Sequence, residues 1–535
     1  MTLAQDAAAA GWAHGRIPFR LRVGVTGHRE LADPERVQEQ VRIATARIRA
    51  VFGDAPSIPV AFTVISPLAE GADRLVAAEF LKVPGTLLDV PLPLPLTDYE
   101  TDFKTPASLA EFRNLLGQAG ATVTLPPQPE RNQAYLQAGR YVVDTSDVII
   151  AVWDGRPAAG AGGTADVVAY ADEQRRPLVW LHAVTGAVEV RRLPSLKEGD
   201  FEEHLQFNSA HAEAKATGLA AAAFAQALGN TLAHPLADDV FNWIAPYYAR
   251  ADTLAQNRQA AHNRLGILKA LLPAFAVVAV AGQVLFASDG SPLAMLEAAV
   301  LAAILIVVVL GRQQGYRDQW LAYRFLAERF RSAYFLALIG LERREERVAV
   351  IYPSHPSESW VARAFREVWR RKPGIISPPE TSMLRALLVT AWVREQADYH
   401  RRAAARQHNL QRLMKRTVEV LFFLTLVAAV GHALQVGNFQ RGSEANLGTM
   451  LVFAATAFPG IAAALASIRE AREFERNAQR SRQMAHHLTA LAGRMEEASD
   501  LRQLQQVAAE VEELLLQENR DWFVVMRFHD FELAP

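Results

Sequence analysis

From residue 20 to residue 185 the chain alternates two patterns. Short, almost wholly apolar runs, "LRVGVT", "VAFTVIS", "GTLLDVPL", "ATVTLP", "DVIIAVWD" and "PLVWLHAV", have the length of strands. Helix-like stretches lie between them, near 34–52, 71–82, 106–119, 130–145 and 164–175. A strand that is apolar on both faces is buried on both faces, as in a parallel sheet flanked by crossover helices. The pattern predicts an α/β, doubly wound parallel sheet that binds ligands at the carboxyl ends of its strands. Residues 1–19 read as a tail, and residues 186–250, mixed and Ala-rich, as a linker with a helix.

Further along the period lengthens. Four apolar stretches, about 269–288, 292–311, 418–438 and 446–468, have the length of membrane helices. A helix of about 20 residues rises roughly 30 Å, the thickness of the hydrocarbon layer. Four buried helices of a soluble protein are the alternative, but segments this long in two close pairs are hard to bury. Arg264, Lys269, Arg312 and Arg317 bracket the first pair, and Lys415, Arg416, Arg469 and Arg472 the second. The hairpin loops hold only Arg441 as a basic residue, so both loops are expected outside and both termini in the cytosol. Glu297 is the one carboxylate inside the first hairpin. Either it snorkels to the outer headgroups or, in an oligomer, it rings a pore.

The two pairs resemble copies of one unit. "ADTLAQNRQAAHNRLGILK" at 251–269 aligns without gaps on "ADYHRRAAARQHNLQRLMK" at 397–415. The expected units are 251–345 and 397–530, joined by a cytosolic connector at 346–396. Each is a cytosolic helix, a membrane hairpin and a second, long cytosolic helix. Leu504, Val507, Val511 and Leu514 are spaced as a seam for a partner helix, which predicts a homo-oligomer. The alternative is packing against the chain itself.

Composition adds limits. The chain has 535 residues, half of them hydrophobic and 21% charged, which suits a soluble part joined to a membrane part. A net charge of -1 gives no electrostatic support for nucleic-acid binding. There is no cysteine, which excludes disulfides and Cys-ligated zinc. The first twenty residues lack the basic region and apolar core of a secretory signal.

Candidate chemistry gathers in three loops that each follow a strand. The first is Thr26-Gly27-His28-Arg29. The second, in "SPLAEGADRL", is Glu70-Gly71-Ala72-Asp73. The third, "WDGRPAAGAGGTADVV", holds Asp154, Gly160, Gly162, Gly163 and Thr164. Glycines let the backbone approach a ligand, Thr164 can cap the next helix, and open N–H groups at a helix start favour an anion. A single glycine turn is often only a turn; three at successive strand ends describe a phosphate-bearing ligand. His28 in a turn is either a base or a hydrogen-bond partner. No metal set is expected.

"GVTGHR", "SPLAEGADRL" and "YLQAGRYVVDTSDVIIAVWDG…GGTADVV" resemble the SLOG superfamily, Rossmann-like domains related to the LOG phosphoribohydrolases and the DNA-processing protein DprA. The resemblance covers about residues 20–185. It implies a nucleotide-derived ligand, ADP-ribose-like or a cyclic nucleotide, near Gly27, Arg29, Glu70, Gly71, Asp73, Gly162, Gly163 and Thr164. LOG enzymes carry GGxGTxxE, whose glutamate helps break an N-glycosidic bond. Here Val167 takes that position and Asp166 falls one residue early. Valine is neither acid nor base, so binding without turnover is expected; Glu70, Asp73 and Asp154 keep hydrolysis open. The hairpins with "W…R…AERFR…Y" and the close "ENRDWFVVMRF" resemble the SLATT domain, a two-transmembrane effector module associated with SLOG sensors. Together the resemblances imply a nucleotide-sensing effector of the bacterial inner membrane that forms a pore or perturbs the membrane in antiviral or conflict defence. A membrane-anchored nucleotide hydrolase, or a metabolite-gated channel similar in arrangement to melastatin-type cation channels, are the alternatives.

Overall fold

The computed structural model describes residues 16–51, 59–157, 162–194, 201–210, 234–286, 291–313, 315–341, 356–375, 379–437 and 446–528, with 222 and 225. These divide into two compact units. The first comprises residues 1–215 and 343–372, the second the rest.

The first unit is built on a seven-stranded sheet in the order β4-β3-β2-β1-β5-β6-β7. The strands are β1 (Phe19–Gly27), β2 (Val60–Ile65), β3 (Leu87–Leu92), β4 (Ala121–Thr124), β5 (Val148–Trp153), β6 (Leu178–His182) and β7 (Val188–Arg191). All neighbours pair in parallel except β6 and β7. Five helices connect the strands: α1 (Pro34–Ala50), α2 (Ala72–Leu81), α3 (Pro106–Leu116), α4 (Arg131–Thr145) and α5 (Thr164–Glu173). From β1 the order runs one way through β2 to β4 and the other way through β5 to β7. The crevice between the carboxyl ends of β1 and β5 is therefore the switch point at which such sheets bind ligands.

All six expected strands are present. The seventh, β7, lies in the stretch read as linker, and its antiparallel pairing with β6 closes the sheet edge. The same stretch contributes α6 (Glu202–Ser209). There Asn208 Oδ1 accepts the Ile17 N–H at 2.8 Å and its Nδ2 donates to the Ile17 carbonyl at 3.0 Å.

A larger difference concerns the segment read as a cytosolic connector. Part of it, α10 (Pro356–Trp369), belongs to the sheet unit. Alternation along β1 sends Phe19, Leu21, Val23 and Val25 into the main core. Arg20 and Arg22 point to the other face, also buried. Buried cations need partners, and α10 supplies one acid, Glu367, and a further cation, Arg363. Arg20 Nε reaches Glu367 Oε1 at 2.6 Å. Arg363 grips Asp147, just ahead of β5, with both ends of its guanidinium; the Nη1–Oδ2 contact is 2.7 Å. Arg370 reaches Asp89 on β3 at 2.7 Å. Trp360 stacks on His204 of α6 with centroids 5.7 Å apart.

The second unit is helical. It contains α7 (Pro235–Phe286), α8 (Ser291–Gln313), α9 (Tyr316–Leu338), α11 (Thr381–Leu387), α12 (Glu395–Ala433), α13 (Leu447–Ala471), α14 (Phe474–Glu497) and α15 (Leu501–Phe528). A π-helical turn, Leu388–Arg394, leads into α12. Two helical stretches among the described residues are long and apolar enough to cross a membrane, Pro235–Phe286 and Leu447–Glu497. The other two expected spans fall on α8, where the apolar helix runs Ala298–Val307, and on the end of α12. Small residues let the apolar helices approach closely. A Cβ added at Gly460 of α13 would lie 3.2 Å from Val277 of α7, and one at Gly431 of α12 would lie 3.1 Å from Leu451. Leu504, Val507 and Val511, expected to face a partner, are buried within this chain, where α15 packs on α14 and α9.

Candidate functional site

A cavity of about 640 Å³ opens at the switch point. It is of the size that holds a nucleotide-sized ligand. Its walls come from the three loops expected from the sequence, from one face of α4 and from the segment that follows β3.

The first loop enters through Gly27. A Cβ there would stand 2.4 Å from the Cβ of Ala72, so only glycine lets β1 pass the start of α2. The His28 N–H then donates to the Val152 carbonyl at 3.0 Å, and the His28 carbonyl accepts the Ala72 N–H at 3.0 Å. Thr26, Gly27, His28 and Arg29 all line the cavity. His28 Nε2 lies 3.1 Å from the Asp154 amide nitrogen and 3.2 Å from Asp154 Oδ1. A ring protonated only on Nδ1 accepts the amide N–H at Nε2, whereas a ring with a proton on Nε2 donates to the carboxylate. One nitrogen cannot do both, so the position of the ring proton decides which group of Asp154 it holds. The Arg156 amide donates to Asp154 Oδ1 at 3.0 Å and, with His28 beside it, keeps that carboxyl below its usual range.

In the second loop the expected residues part company. Asp73 lines the cavity, only 4% exposed. Burial pushes its carboxyl up to about 7, against the pull of the Ala69 amide, the Ser66 hydroxyl and the nearby Arg29 and Arg74 charges. Glu70 instead accepts a hydrogen bond from the Ser108 hydroxyl on α3 and stands behind the wall. Gly71 is also behind it. Its φ of +79° and the Arg29 carbonyl, 2.3 Å from where a Cβ would be, demand glycine. Gly71 therefore fastens the first loop to the second.

The third loop is described at its two ends; Gly160 lies outside the described residues. Gly162 has φ +87° and packs against the backbone of α4, where a Cβ would meet the Asn132 carbonyl at 2.9 Å. The N-cap of α5 is Gly163, not Thr164, which is the first helical residue. No side chain caps Gly163; the Asp166 carboxylate turns back to accept the Gly162 N–H at 2.9 Å. Gly162, Gly163 and Thr164 all face the cavity, and the positive end of the α5 dipole faces it with them. Val167 is 3% exposed and fills a notch against Gly139 of α4. The position of the LOG glutamate is thus an apolar piece of wall.

Three aromatic residues were not picked out from the sequence: Tyr99, Tyr135 and Trp153. Tyr135 opens the quoted "YLQAGRYVV" motif, and the Arg29 guanidinium lies over its ring at 5.4 Å. Tyr99 comes from a one-turn helix, Leu96–Tyr99, for which the sequence pattern gives no sign. The site offers aromatic surface for a base, an electropositive rim with Arg29 and Arg156, and one buried acid. Glu297 lies on α8, in the second unit, and its side chain falls outside the described residues. Among the described residues no cluster of His, Asp and Glu could hold a metal.

No curated protein significantly matches the chain. Residues 389–522, well under half of the chain, match the family described as SMODS and SLOG-associating 2TM effector domain 1, SLATT_1. The match takes in α12, α13, α14 and most of α15, the second of the two units read in the sequence. This part of the chain is a SLATT domain and, with the two apolar helices, it marks the protein as a membrane effector of conflict and defence systems.

Proposed function

We propose that the chain is a nucleotide-sensing membrane effector. A nucleotide-derived signal, ADP-ribose-like or a cyclic nucleotide, binds at the β1/β5 crevice, and the membrane helices deliver the response as a pore or a membrane lesion. The observation that carries this reading is a nucleotide-sized cavity at the switch point of a doubly wound sheet, in one chain with a SLATT domain. Four crossing helices are part of the proposal, with both termini cytoplasmic in a bacterial inner membrane. Apolar residues on the two shorter segments support it: Leu305 on α8 is 65% exposed and Phe423 on α12 is 64% exposed. Duplication is supported by matched breaks in the chain. Gly315 before α9 and Glu473 before α14 both adopt left-handed φ, at +51° and +44°, where an apolar helix passes into its polar successor.

A pore swung from about 1% to 99% open needs roughly 5.5 kcal/mol of differential ligand affinity. Phosphate contacts from several loops are a source of that size. A homo-oligomer formed through the membrane helices, with Glu297 towards the outer mouth, is the form the pore takes in this proposal. The test is flux from liposomes holding the purified protein, with ADP-ribose and cyclic nucleotides added in turn. Release on adding one of them, lost on Gly162→Val, is expected; release that no nucleotide changes refutes the reading.

Hydrolysis is the second reading, and Asp73 is what favours it: an acid of near-neutral pKa inside the cavity suits general acid–base work. Val167 argues against LOG-type chemistry. Binding without cleavage is therefore proposed. Steady release of adenine or ribose phosphate from AMP, abolished by Asp73→Asn, would put the hydrolase first.

A further inference from the structure

We infer that the helical unit holds a second ligand site, a polar cavity among α7, α9, α12, α14 and α15 that takes a free amino acid by its ammonium and carboxylate groups. The cavity measures about 240 Å³. Pockets for drug-sized ligands begin at about 300 Å³, so this one suits a smaller molecule. It also lies away from the apolar stretches. About 25 Å of α7 separate Asp252, in the cavity wall, from Lys269, where the apolar stretch begins. A lipid headgroup does not reach that far, and the ligand comes from water.

The charges in the wall fall into two groups. Asp252, Arg324 and Glu328 belong to a closed network. Arg324 Nη2 holds Glu328 Oε1 at 2.5 Å, and its Nη1 lies 4.0 Å from Asp252 Oδ1. Arg331 takes the other oxygen of Glu328, and Gln256 donates to Asp252 at 2.7 Å. Two cations meet two acids there, and no ligand is needed. Arg480 of α14 and Glu518 of α15 form the second group. Among the described residues Arg480 has no hydrogen-bond or ion-pair partner. The one ion-pair contact of Glu518 is the His400 ring, whose Nε2 stands 4.0 Å from Oε2. His400 is only 6% exposed, and burial pushes its ring down to about 4, so it is neutral and supplies no countercharge. Burial and the Glu328 charge push Glu518 up to about 7, against the pull of Arg324, Arg331 and Arg480.

One cation and one acid are left over, on neighbouring helices and with no net charge between them. A simple anion or a simple cation would satisfy one of them, leave the other, and bring an uncompensated charge into a half-buried site. A zwitterion satisfies both. Its carboxylate matches the fork of the Arg480 guanidinium. Its ammonium gives donors to Glu518. Two further acceptors belong to residues of the same wall. With its Nε2 proton towards Glu518, the neutral His400 ring leaves Nδ1 as an acceptor, and neither that atom nor Gln407 Oε1 has a hydrogen-bond partner among the described residues. A quaternary ammonium, which has no N–H, would leave such acceptors empty. Gln259, Gln396 and Asn477 add amides to the wall, which fits a polar side chain better than an apolar one. α12, α14 and α15 bring residues of the matched SLATT segment, whereas α7 and α9 precede it. A bound amino acid therefore ties the SLATT domain to the helices ahead of it, whatever the sheet unit binds.

The test uses the full-length protein in detergent. Thermal midpoints are read with each of the twenty standard amino acids in turn at about 10 mM, since a ligand of the folded state raises the midpoint. At least one is expected to do so, and calorimetry then gives its Kd. Its amine, which lacks the carboxylate, and its N-acetyl form, which lacks the ammonium, are each expected to bind at least about tenfold more weakly, the size of a hydrogen bond to a charged group. Arg480→Gln should bring the amino acid down to the affinity of the amine without changing the amine. Glu518→Gln should do the same relative to the N-acetyl form. No midpoint shift with any of the twenty overturns the inference, and is the result expected if Arg480 and Glu518 serve only each other. Equal affinities for the amino acid and both analogues also overturn it, on the native protein alone and so whether or not the variants fold. So does binding that survives both substitutions, because the amino acid then sits elsewhere.

Discussion

Arg363→Ala should loosen the whole sheet unit although residue 363 lies far along the chain from the strands. The Arg363 and Asp147 side chains are each 2% exposed. They form a two-pronged ion pair, and Asp147 also accepts the Arg22 amide at 2.8 Å. Burial alone would raise the Asp147 carboxyl, but the Arg363 charge and its hydrogen bonds, with help from the Arg22 amide, bring it below its usual range. Removing the arginine leaves a buried carboxylate with a single backbone donor. Breaking a buried pair in this way costs about 3–5 kcal/mol. The guanidinium also lies over the Phe19 ring at 5.1 Å, so packing is lost as well. Hydrogen exchange on the full-length protein reads this directly. Each 1.4 kcal/mol is about a factor of ten, so amides of β1 and β5 that open only globally should exchange roughly two to four decades faster. Peptides from the helical unit serve as the internal control. Replacing the pair with Asp147→Leu and Arg363→Met should recover most of the protection. A change under about tenfold in β1 and β5, or one spread equally over the helical unit, would refute the assignment of α10 to the sheet.

Three further outcomes can be measured. Gly71→Ala should abolish AMP binding and lower the thermal midpoint, since the Cβ meets the Arg29 carbonyl and φ is +79°; calorimetry and a melting curve check both, and retained affinity would sink the claim that Gly71 joins the loops. Because burial raises Asp73 from 3.8 to about 7, the unliganded folded protein holds a proton that the unfolded chain has released. Stability should therefore fall as pH rises from about 4 to about 7, a trend that flattens in Asp73→Asn and is read by melting curves across that range. Glu473→Gly should stabilise the α13–α14 junction by about 1 kcal/mol, because a residue with φ +44° is strained unless it is glycine; faster exchange around residue 473 would contradict that.

The sheet was legible where strands are apolar on both faces. "DVIIAVWD" has no reading other than a central strand, and it lies between β1 and β6. β7 was not legible: Val188–Arg191 is four residues at an edge, half of them exposed, and edge strands carry little apolar signal. α10 reads as an amphipathic helix, but nothing in "WVARAFREVWRR" names the surface it covers. The signal lay at the other end of the chain. Arg20 and Arg22 sit inside an apolar strand, and charges there demand partners from elsewhere. The seam of Leu504, Val507 and Val511 was correct as an apolar stripe, but period alone cannot separate a partner chain from a neighbouring helix. In the site, glycines and strand ends were legible because backbone geometry requires them. Thr164 was expected as the cap, but Asp166 turns back to Gly162 and leaves Gly163 in that role. Tyr99 comes from a one-turn helix too short to leave a periodic trace.

The sheet unit is built from two separate parts of the chain. The chain leaves the sheet unit after residue 215, passes through α7, α8 and α9, returns for residues 343–372, and leaves again for α12 and α13. A connector that merely linked two helical segments would need no buried charges. This one carries two, Arg363 and Glu367, with the half-buried Arg370 beside them, each spent on a group at or just ahead of a strand of the sheet. Glu367 is held by Arg20 near the start of β1. The end of the same strand is Thr26-Gly27, in the cavity wall. From Arg20 to Thr26 the strand runs six residues at about 3.3 Å each, paired with β2 as far as Gly24 and with β5 from Val23. Under the proposed function, a ligand drawn to the first loop acts on a strand whose other end holds α10, and α10 is the last element of the sheet unit before the SLATT domain. Ion pairs suit such a joint better than an apolar seam does, because their strength depends on geometry, and a small displacement of β1 changes several of them together.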